Sequence, residues 1–175
     1  MDNVIKNTEQ VMQIVDCGIE NTEQIMHITD CGIENKEQMV KLWNSIYNNG
    51  KPDFSIALPY YDDNLYFHDP IQEFRGIEKF KEMTNRLVAR SPDLKIKVIN
   101  CVKEGNIYFI EWEMSMSFKN TPNTTLYGTS RLMMSEQRKI IEQRDYYDLW
   151  GDIFDNIPKF GWNKRYRKIM KKKFG

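Results

Sequence analysis

An aspartate followed by a proline, Asp69-Pro70, is a pair of residues in this sequence that could carry acid–base chemistry. Proline fixes its own φ and pushes the preceding residue toward extended geometry, so Asp69 should end a short strand on constrained backbone. Alternation along that strand places Asp69 on the same face as Leu65 and Phe67. If this face lines an apolar cavity, loss of hydration favours the neutral carboxyl, and Asp69 can act as a general base.

The neighbouring residue His68 adds a second proton carrier, because an imidazole titrates near neutral pH. We therefore predict acid–base work by Asp69 together with His68 or Tyr66. The alternative is that Asp69 only begins the turn that ends at Gly76, as most Asp-Pro pairs do.

The composition excludes several classes of protein. The 175 residues carry 25 basic and 25 acidic side chains, so the overall charge does not favour a nucleic acid as partner. No stretch is long and apolar enough to cross a bilayer, and the start lacks the pattern of a signal peptide. Three cysteines, two of them in a repeat, do not make a disulfide framework. We expect a cytoplasmic domain that uses no cofactor and no metal.

A repeat of 14 residues occupies the start of the chain. Residues 7–20 (NTEQVMQIVDCGIE) recur almost unchanged as residues 21–34 (NTEQIMHITDCGIE), and Asn35-Lys36-Glu37-Gln38 begins a third, degenerate copy. Each copy opens with Asn and has Gln three residues later, which resembles a helix capping box. We interpret residues 1–34 as a duplicated extension and residues 35–150 as the domain.

The periodicity of apolar residues predicts the elements that must position Asp69. Helical spacing predicts helices over 39–47 and 77–90, with a short strand over 64–68 between them. The period then changes to two, which predicts strands over 94–98, 107–118, 126–134 and 139–148. Helices followed by an antiparallel meander predict an α+β fold whose sheet curves around the N-terminal helices.

The strand predicted over 107–118 has two faces of different character. One face is wholly apolar and includes Trp112, whereas the other begins with Ile107 and Phe109 and becomes polar at Glu111 and Glu113. Apolar residues on both faces indicate a strand that is covered on both sides, by helices and by a second copy of the chain. We therefore expect a homodimer.

The end of the chain forms a basic tail over 151–175. Residues 159–175 carry eight lysines or arginines and no acid, and Trp162, Tyr166, Ile169 and Met170 share one helical face. Our first interpretation is a closing helix that packs its apolar face over the domain. The alternative is a helix that binds an anionic membrane surface.

The order of these features resembles a known superfamily. A carboxylate-proline pair after an Asp-Asp-x-hydrophobic strand, followed by a glycine that opens a helix, is similar to the NTF2-like (SnoaL-like) superfamily. Its members include ketosteroid isomerases and limonene-epoxide hydrolases. The resemblance runs from about residue 37 to residue 148, and it implies a cone-shaped NTF2-like fold and a homodimer.

The resemblance to limonene-epoxide hydrolase implies two further acids. Glu113 and Asp145 fall where that enzyme has its catalytic acids, and Glu111 replaces the arginine that links them. A negative charge cannot organise an acid pair as a positive charge does, so the exchange argues against epoxide hydrolysis. Glu111 and Tyr147, which lie close to these acids in the sequence, are candidates for ligand binding.

The resemblance to ketosteroid isomerase implies that Asp69 is the general base. Trp43 falls near the position of the oxyanion tyrosine, and Ser130 falls near that of the protonated acid. Each offers one hydrogen-bond donor, so only a weakened oxyanion hole remains, with Tyr66, His68 and Tyr47 as further donors.

These interpretations converge on a cone that holds a small, mostly apolar molecule against a few carboxylates. The first functional hypothesis is a cofactor-independent isomerase, cyclase or hydrolase. The second is a ligand-binding or dimeric scaffolding module without catalysis, and the third adds binding of the basic tail to a membrane. Fold class alone does not decide between them.

Overall fold

The structure is a computed structural model that describes residues 32–47, 51–91, 93–117, 124–153 and 162–175, with only the backbone of Trp162 and Asn163. The first copy of the repeat and nearly all of the second lie outside the described residues, as do Phe118 and residues 159–161. The interpretation of the repeats as a separate extension therefore stays a prediction.

The first helix, α1 (Lys36–Tyr47), begins at the predicted capping box. The Asn35 side chain accepts a hydrogen bond from the backbone N–H of Gln38 at 2.9 Å. The Gln38 side chain in turn accepts one from the backbone N–H of Glu34 at 2.7 Å. The first contact satisfies an N–H group that the first turn of a helix leaves without a partner, and the second fixes the chain just before the helix. The apolar residues at helical spacing form the buried face of α1: Met39, Leu42, Trp43, Ile46 and Tyr47.

The end of the second repeat belongs to the folded domain. Ile33 is only 3% exposed and joins the hydrophobic core, and its N–H donates to the carbonyl of Arg138 at 3.1 Å. Glu34 forms an ion pair with the Arg138 side chain. The domain therefore includes residues just before the boundary expected at residue 35, because Ile33 supplies apolar surface that the core needs.

Six strands form one curved sheet with the order β2-β1-β6-β5-β4-β3. Their bounds are β1 (Tyr61–His68), β2 (Glu73–Arg75), β3 (Lys95–Glu104), β4 (Ile107–Met116), β5 (Thr124–Met134) and β6 (Ile140–Tyr147). The antiparallel meander from β3 to β6 is as predicted. Strands β1 and β6 pair in parallel. This pairing differs from the prediction, which was an antiparallel sheet.

The second helix, α2 (Ile77–Arg90), has the predicted bounds. Gly76 precedes it with φ +98°, a conformation that favours glycine, and thereby turns the chain from β2 into the helix. Phe80, Thr84 and Val88 are the buried residues of this helix. Helices α1 and α2 contact the sheet, and the buried residues that they share with it form one hydrophobic core. The α+β layout is therefore the one predicted.

The last helix, α3 (Trp162–Phe174), follows a short π-helical turn (Leu149–Ile153). Tyr166 and Ile169 are both exposed, whereas Met170 is half-buried. The apolar face of α3 is therefore only partly packed on the domain, and the interpretation of the tail as a closing helix stays a prediction. Among the described residues, no helix is long and apolar enough to cross a membrane.

The place where the domain begins can be tested with two truncated chains, one starting at Gly32 and one at Asn35. We expect the shorter chain to be less stable by about 2–4 kcal/mol, because it lacks the buried side chain of Ile33. Urea unfolding of both chains measures the difference. Equal midpoints and slopes would show that Ile33 adds nothing to the core.

Candidate functional site

A cavity of about 300 Å³ lies between the two helices and the inner face of the sheet. Its walls are mainly apolar and come from all three sides, with Trp43 and Tyr47 of α1, Phe80 and Leu87 of α2, and Met114 and Leu126 of the sheet. Three of the lining residues are exposed and mark the rim: Ile71, Arg86 and Arg90. The cavity can therefore hold a small, largely apolar molecule.

The carboxylate of Asp145, on β6, lies at this cavity and accepts three hydrogen-bond contacts. Ser130 Oγ donates to Asp145 Oδ1 at 2.6 Å. Gln143 Nε2 approaches both carboxylate oxygens, Oδ1 at 3.0 Å and Oδ2 at 3.2 Å. Oδ1 thus takes two donors, and Oδ2 takes only the longer contact. Oδ2 therefore keeps more capacity to accept a proton from a bound molecule.

A second layer of donors fixes the direction of these hydrogen bonds. Trp112 Nε1 donates to Ser130 Oγ at 3.0 Å, and an indole N–H can only donate. Ser130 must accept from Trp112, so its own proton points at Asp145. Similarly, the Tyr61 hydroxyl lies 2.6 Å from Gln143 Oε1, which leaves the Gln143 amide N–H groups to face Asp145. Both donors to the carboxylate are therefore held in place before any ligand arrives.

Gly128 makes room for the Trp112 indole. It lies opposite Trp112 in the β4–β5 pairing, and a Cβ atom added to it would be 2.4 Å from the edge of the indole ring. Because real side chains do not approach so closely, only glycine permits this ring position. The Trp112–Ser130–Asp145 arrangement therefore depends on a residue that makes none of its hydrogen bonds.

Burial raises the pKa of Asp145 to about 6. The hydrogen bonds from Ser130 and Gln143 act in the opposite direction, and the negative charge of Asp69 adds to the rise. A carboxyl group with this pKa is present in both protonation states near neutral pH. Asp145 can therefore give up or take a proton under physiological conditions.

Two buried tyrosines lie within the field of this carboxylate. The pKa values of Tyr47 and Tyr61 are raised, first by burial and then by the negative charge of Asp145. Both phenols therefore stay protonated and can donate hydrogen bonds. Tyr47 also lines the cavity, so it can donate to a bound molecule.

Asp69 lines the same cavity but has a different set of contacts. Its Oδ1 accepts from the backbone N–H groups of Ile71 and Gln72, both at 2.7 Å. These are the contacts of an aspartate that begins a turn, which is the alternative stated above. Burial raises the pKa of Tyr147, and the negative charges of Asp69 and Asp145 and a hydrogen bond to Asp69 add to the rise, so this phenol also stays protonated.

Strand alternation separates four of the predicted site residues from the cavity. Glu111 and Glu113 lie on the outer face of β4, opposite Thr129 and Tyr127 of β5. The expected acid pair of Glu113 with Asp145 is therefore not formed.

Tyr66 and His68 alternate with the inward residues of β1 and pair with Arg75 and Glu73 of β2. The Tyr66 hydroxyl donates to Glu73 at 2.7 Å, and Arg75 lies 4.3 Å above its ring. Neither residue of β1 lines the cavity, and the expected pairing of His68 with Asp69 as proton carriers is not formed there.

Seven of the predicted residues do line the cavity: Asp69, Asp145, Trp43, Tyr47, Phe67, Ser130 and Tyr147. The sequence reasoning missed Gln143 and Tyr61, which orient the Asp145 carboxylate. The spacing of Gln143, Asp145 and Tyr147 is two residues, so alternation on β6 already assigned them to one face. Within the described ranges, no group of three or more His, Cys, Asp or Glu could hold a metal ion.

The fold and the site define a class of α+β proteins in which a curved sheet and two helices enclose one cavity with a carboxylate. The family of the SnoaL-like domain matches residues 22–143, so the chain belongs to the SnoaL-like family. The match begins inside the second copy of the repeat. A comparison with curated proteins finds no match.

Solved structures share this fold at low sequence identity. A hypothetical protein from Catenulispora acidiphila with a ketosteroid isomerase-like fold, in complex with trimethylamine, is 15% identical with a TM-score of 0.60, over 70% of this chain and 93% of its own. An LEH-like epoxide hydrolase of M. tuberculosis is 15% identical with a TM-score of 0.56, over 74% and 94%. A putative SnoaL-like polyketide cyclase from Shewanella denitrificans is 12% identical with a TM-score of 0.58, over 70% and 96%. At these identities the likeness shows the fold alone.

The pKa of Asp145 predicts how stability depends on pH. The folded-state value of about 6 lies above the ordinary value of 3.8, so the folded protein binds this proton more tightly than the unfolded chain does. Ionisation of Asp145 therefore costs stability as the pH rises from about 4 to about 6, by roughly 2–3 kcal/mol. We expect Asp145→Asn to remove this loss, as measured by urea unfolding across that range. If the free energy of unfolding depended on pH in the same way in both proteins, the raised pKa of Asp145 would be contradicted.

Proposed function

We propose that the protein binds a small, mostly apolar molecule in its cavity and that Asp145 transfers a proton to or from it. The reaction class is an isomerisation, cyclisation or hydrolysis that needs no cofactor. The observation that carries the proposal is the Asp145 carboxyl, with a pKa of about 6, facing an apolar cavity while Ser130 and Gln143 hold it in place. A general base works best when its pKa lies near the working pH.

Asp145 takes the role that the sequence suggested for Asp69. Both backbone hydrogen bonds to Asp69 end on one oxygen and serve the turn after β1. Asp69 instead acts on the site through its charge, which raises the pKa of Asp145, and through Tyr147.

A reaction in this cavity begins with proton removal by the ionised Asp145. The proton comes from a carbon next to an electron-withdrawing group, or from a water molecule that attacks the bound substrate. Tyr47, kept protonated by burial, can donate a hydrogen bond to the oxygen on which negative charge develops. The protonated Asp145 then returns the proton to the product.

The names of similar structures agree with this range of reactions. One neighbour is called an LEH-like epoxide hydrolase and another a putative SnoaL-like polyketide cyclase. Epoxide hydrolysis by two acids and a linking arginine has no counterpart here, because Glu111 and Glu113 lie outside the cavity. Isomerisation or cyclisation by one acid–base group fits the residues better.

The competing function is binding without turnover. It is favoured by the contacts of Asp69, whose Oδ1 accepts two backbone N–H groups of the turn and whose Oδ2 lies 3.5 Å from the Gln72 amide nitrogen. Both functions use the same cavity, so a test must separate proton transfer from binding.

5-Nitrobenzisoxazole provides that test, because this flat apolar molecule opens to a coloured phenolate when a base removes its C3 proton. We expect the protein to open it faster than free acetate does, with a rate that rises with pH through about 6 as Asp145 ionises. Asp145→Asn should lower the rate about 100-fold. Asp69→Asn is the matched control: it should lose about 1 kcal/mol of stability through its turn but keep a measurable rate.

Equal rates for the wild type and Asp145→Asn would overturn the proposed catalytic role. Quenching of tryptophan fluorescence by the probe, with no ring opening in either protein, would favour binding without turnover. Mass spectrometry of molecules that co-purify with the protein would then identify the natural ligand.

We also propose that the protein forms a homodimer through the outer face of the sheet. Phe109, Tyr127 and Tyr146 are large side chains on this face, and all three are exposed. Acidic and basic residues alternate around them, as with Glu113 opposite Lys97 and Arg131 paired with Glu142 at 2.6 Å. A face with aromatic residues and both signs of charge is suited to contact its own copy.

The homodimer can be tested by Tyr127→Lys combined with Tyr146→Lys. We expect this variant to be monomeric in light scattering where the wild type is dimeric, because four added charges per dimer would face each other. Ile71→Lys is the control, since Ile71 is exposed at the cavity rim and should leave the dimer intact. A dimeric double variant, or a monomeric wild type, would contradict this interface.

A further inference from the structure

We propose that α3 is an interfacial helix that lies on membranes with anionic lipid headgroups. The helix carries seven lysines or arginines and no acidic residue along WNKRYRKIMKKKF. Because the whole chain has equal numbers of acidic and basic residues, the rest of the chain carries the matching excess of acids. Most of that excess lies in residues 1–34, which have seven acids and one lysine, whereas residues 35–150 carry equal numbers of acidic and basic side chains. An anionic surface would therefore attract α3 and not the domain.

The apolar residues of α3 form a stripe that stays largely exposed. Tyr166, Met170 and Phe174 follow each other at intervals of four, and Ile169 lies beside them on the same side. Ile169 is 59% exposed and Phe174 is 73% exposed. Uncovered apolar side chains beside a row of cations are the pattern of a helix that lies in the plane of a bilayer surface.

One aromatic contact joins this stripe to the domain. Trp150, in the π-helical turn after β6, stacks on Tyr166 with ring centroids 5.4 Å apart. Both rings keep about half of their surface exposed. Tryptophan and tyrosine favour the headgroup level of a bilayer, where one part of the ring meets apolar chains and another meets water. The pair therefore extends the apolar stripe toward the body of the protein.

The length of α3 decides how it would meet the bilayer. Thirteen helical residues span about 20 Å, well short of the roughly 30 Å of a hydrocarbon core. The helix therefore lies on the surface, with Ile169 and Phe174 in the outer hydrocarbon and the lysines among the headgroups. Lys173, whose Nζ is 5.6 Å from the centre of the Phe174 ring, can extend its ammonium group to the phosphates.

A nucleic acid would also attract seven cations, but it gives no reason for the exposed apolar stripe. Phosphate contacts need only charge, whereas Ile169 and Phe174 gain from leaving water only if an apolar layer receives them. The combination of both features in one short helix is the reason for choosing lipid over nucleic acid.

The test uses the full chain and sedimentation with vesicles of phosphatidylcholine, with or without phosphatidylserine. We expect binding only when phosphatidylserine is present, and weaker binding as salt is raised. Replacing Lys171, Lys172 and Lys173 with Glu should reduce the affinity at least about 100-fold. The matched control replaces three exposed lysines elsewhere, Lys41, Lys79 and Lys95, with Glu and should retain the binding of the wild type.

A second variant isolates the apolar stripe. Ile169→Ser with Phe174→Ser keeps every charge and changes only exposed positions, so the domain should fold as before. We expect this variant to bind phosphatidylserine vesicles at least about tenfold more weakly than the wild type. Wild-type affinity in this variant would overturn the interfacial helix. So would equal recovery in the supernatant with both kinds of vesicle, or tighter binding to a single-stranded RNA homopolymer than to the vesicles.

Discussion

The Asp145 carboxylate is the group on which the arrangement of the cavity depends. A carboxylate in apolar surroundings must be given hydrogen-bond donors, and here Ser130 and Gln143 provide them. Each of these donors is oriented in turn, Ser130 by the indole of Trp112 and Gln143 by Tyr61. Four side chains, one from each of the strands β1, β4, β5 and β6, thus hold one charge in place.

The two carboxylates of the cavity have different surroundings and therefore different properties. Asp145 is held by side chains, and burial raises its pKa to about 6. Asp69 is held by backbone N–H groups of the turn that follows β1. The turn fixes Asp69 near the rim, and its charge acts on Asp145 and Tyr147. The cavity thereby combines one proton carrier with one fixed charge.

The chain distributes its charges over separate surfaces. The inner face of the sheet holds the apolar cavity, the outer face holds aromatic residues with Glu111 and Glu113, and α3 holds only basic charge. For the two faces of the sheet, this separation follows from strand alternation, because neighbouring residues of β4 must lie on opposite faces. It also means that acids close together in the sequence need not share a site.

The sequence by itself determined the elements and their faces. Local rules predict the capping box at Asn35 and the bounds of α2. They also predict the alternation that assigns Trp112 and Asp145 each to one face of its strand. Only the tertiary structure decided which faces enclose the cavity and which strands are neighbours. The parallel pairing of β1 with β6 sets Phe67 beside Gln143, and no local pattern contains that register. Desolvation of Asp145 likewise results from residues far apart in the chain, so its proton affinity became evident only in the folded protein.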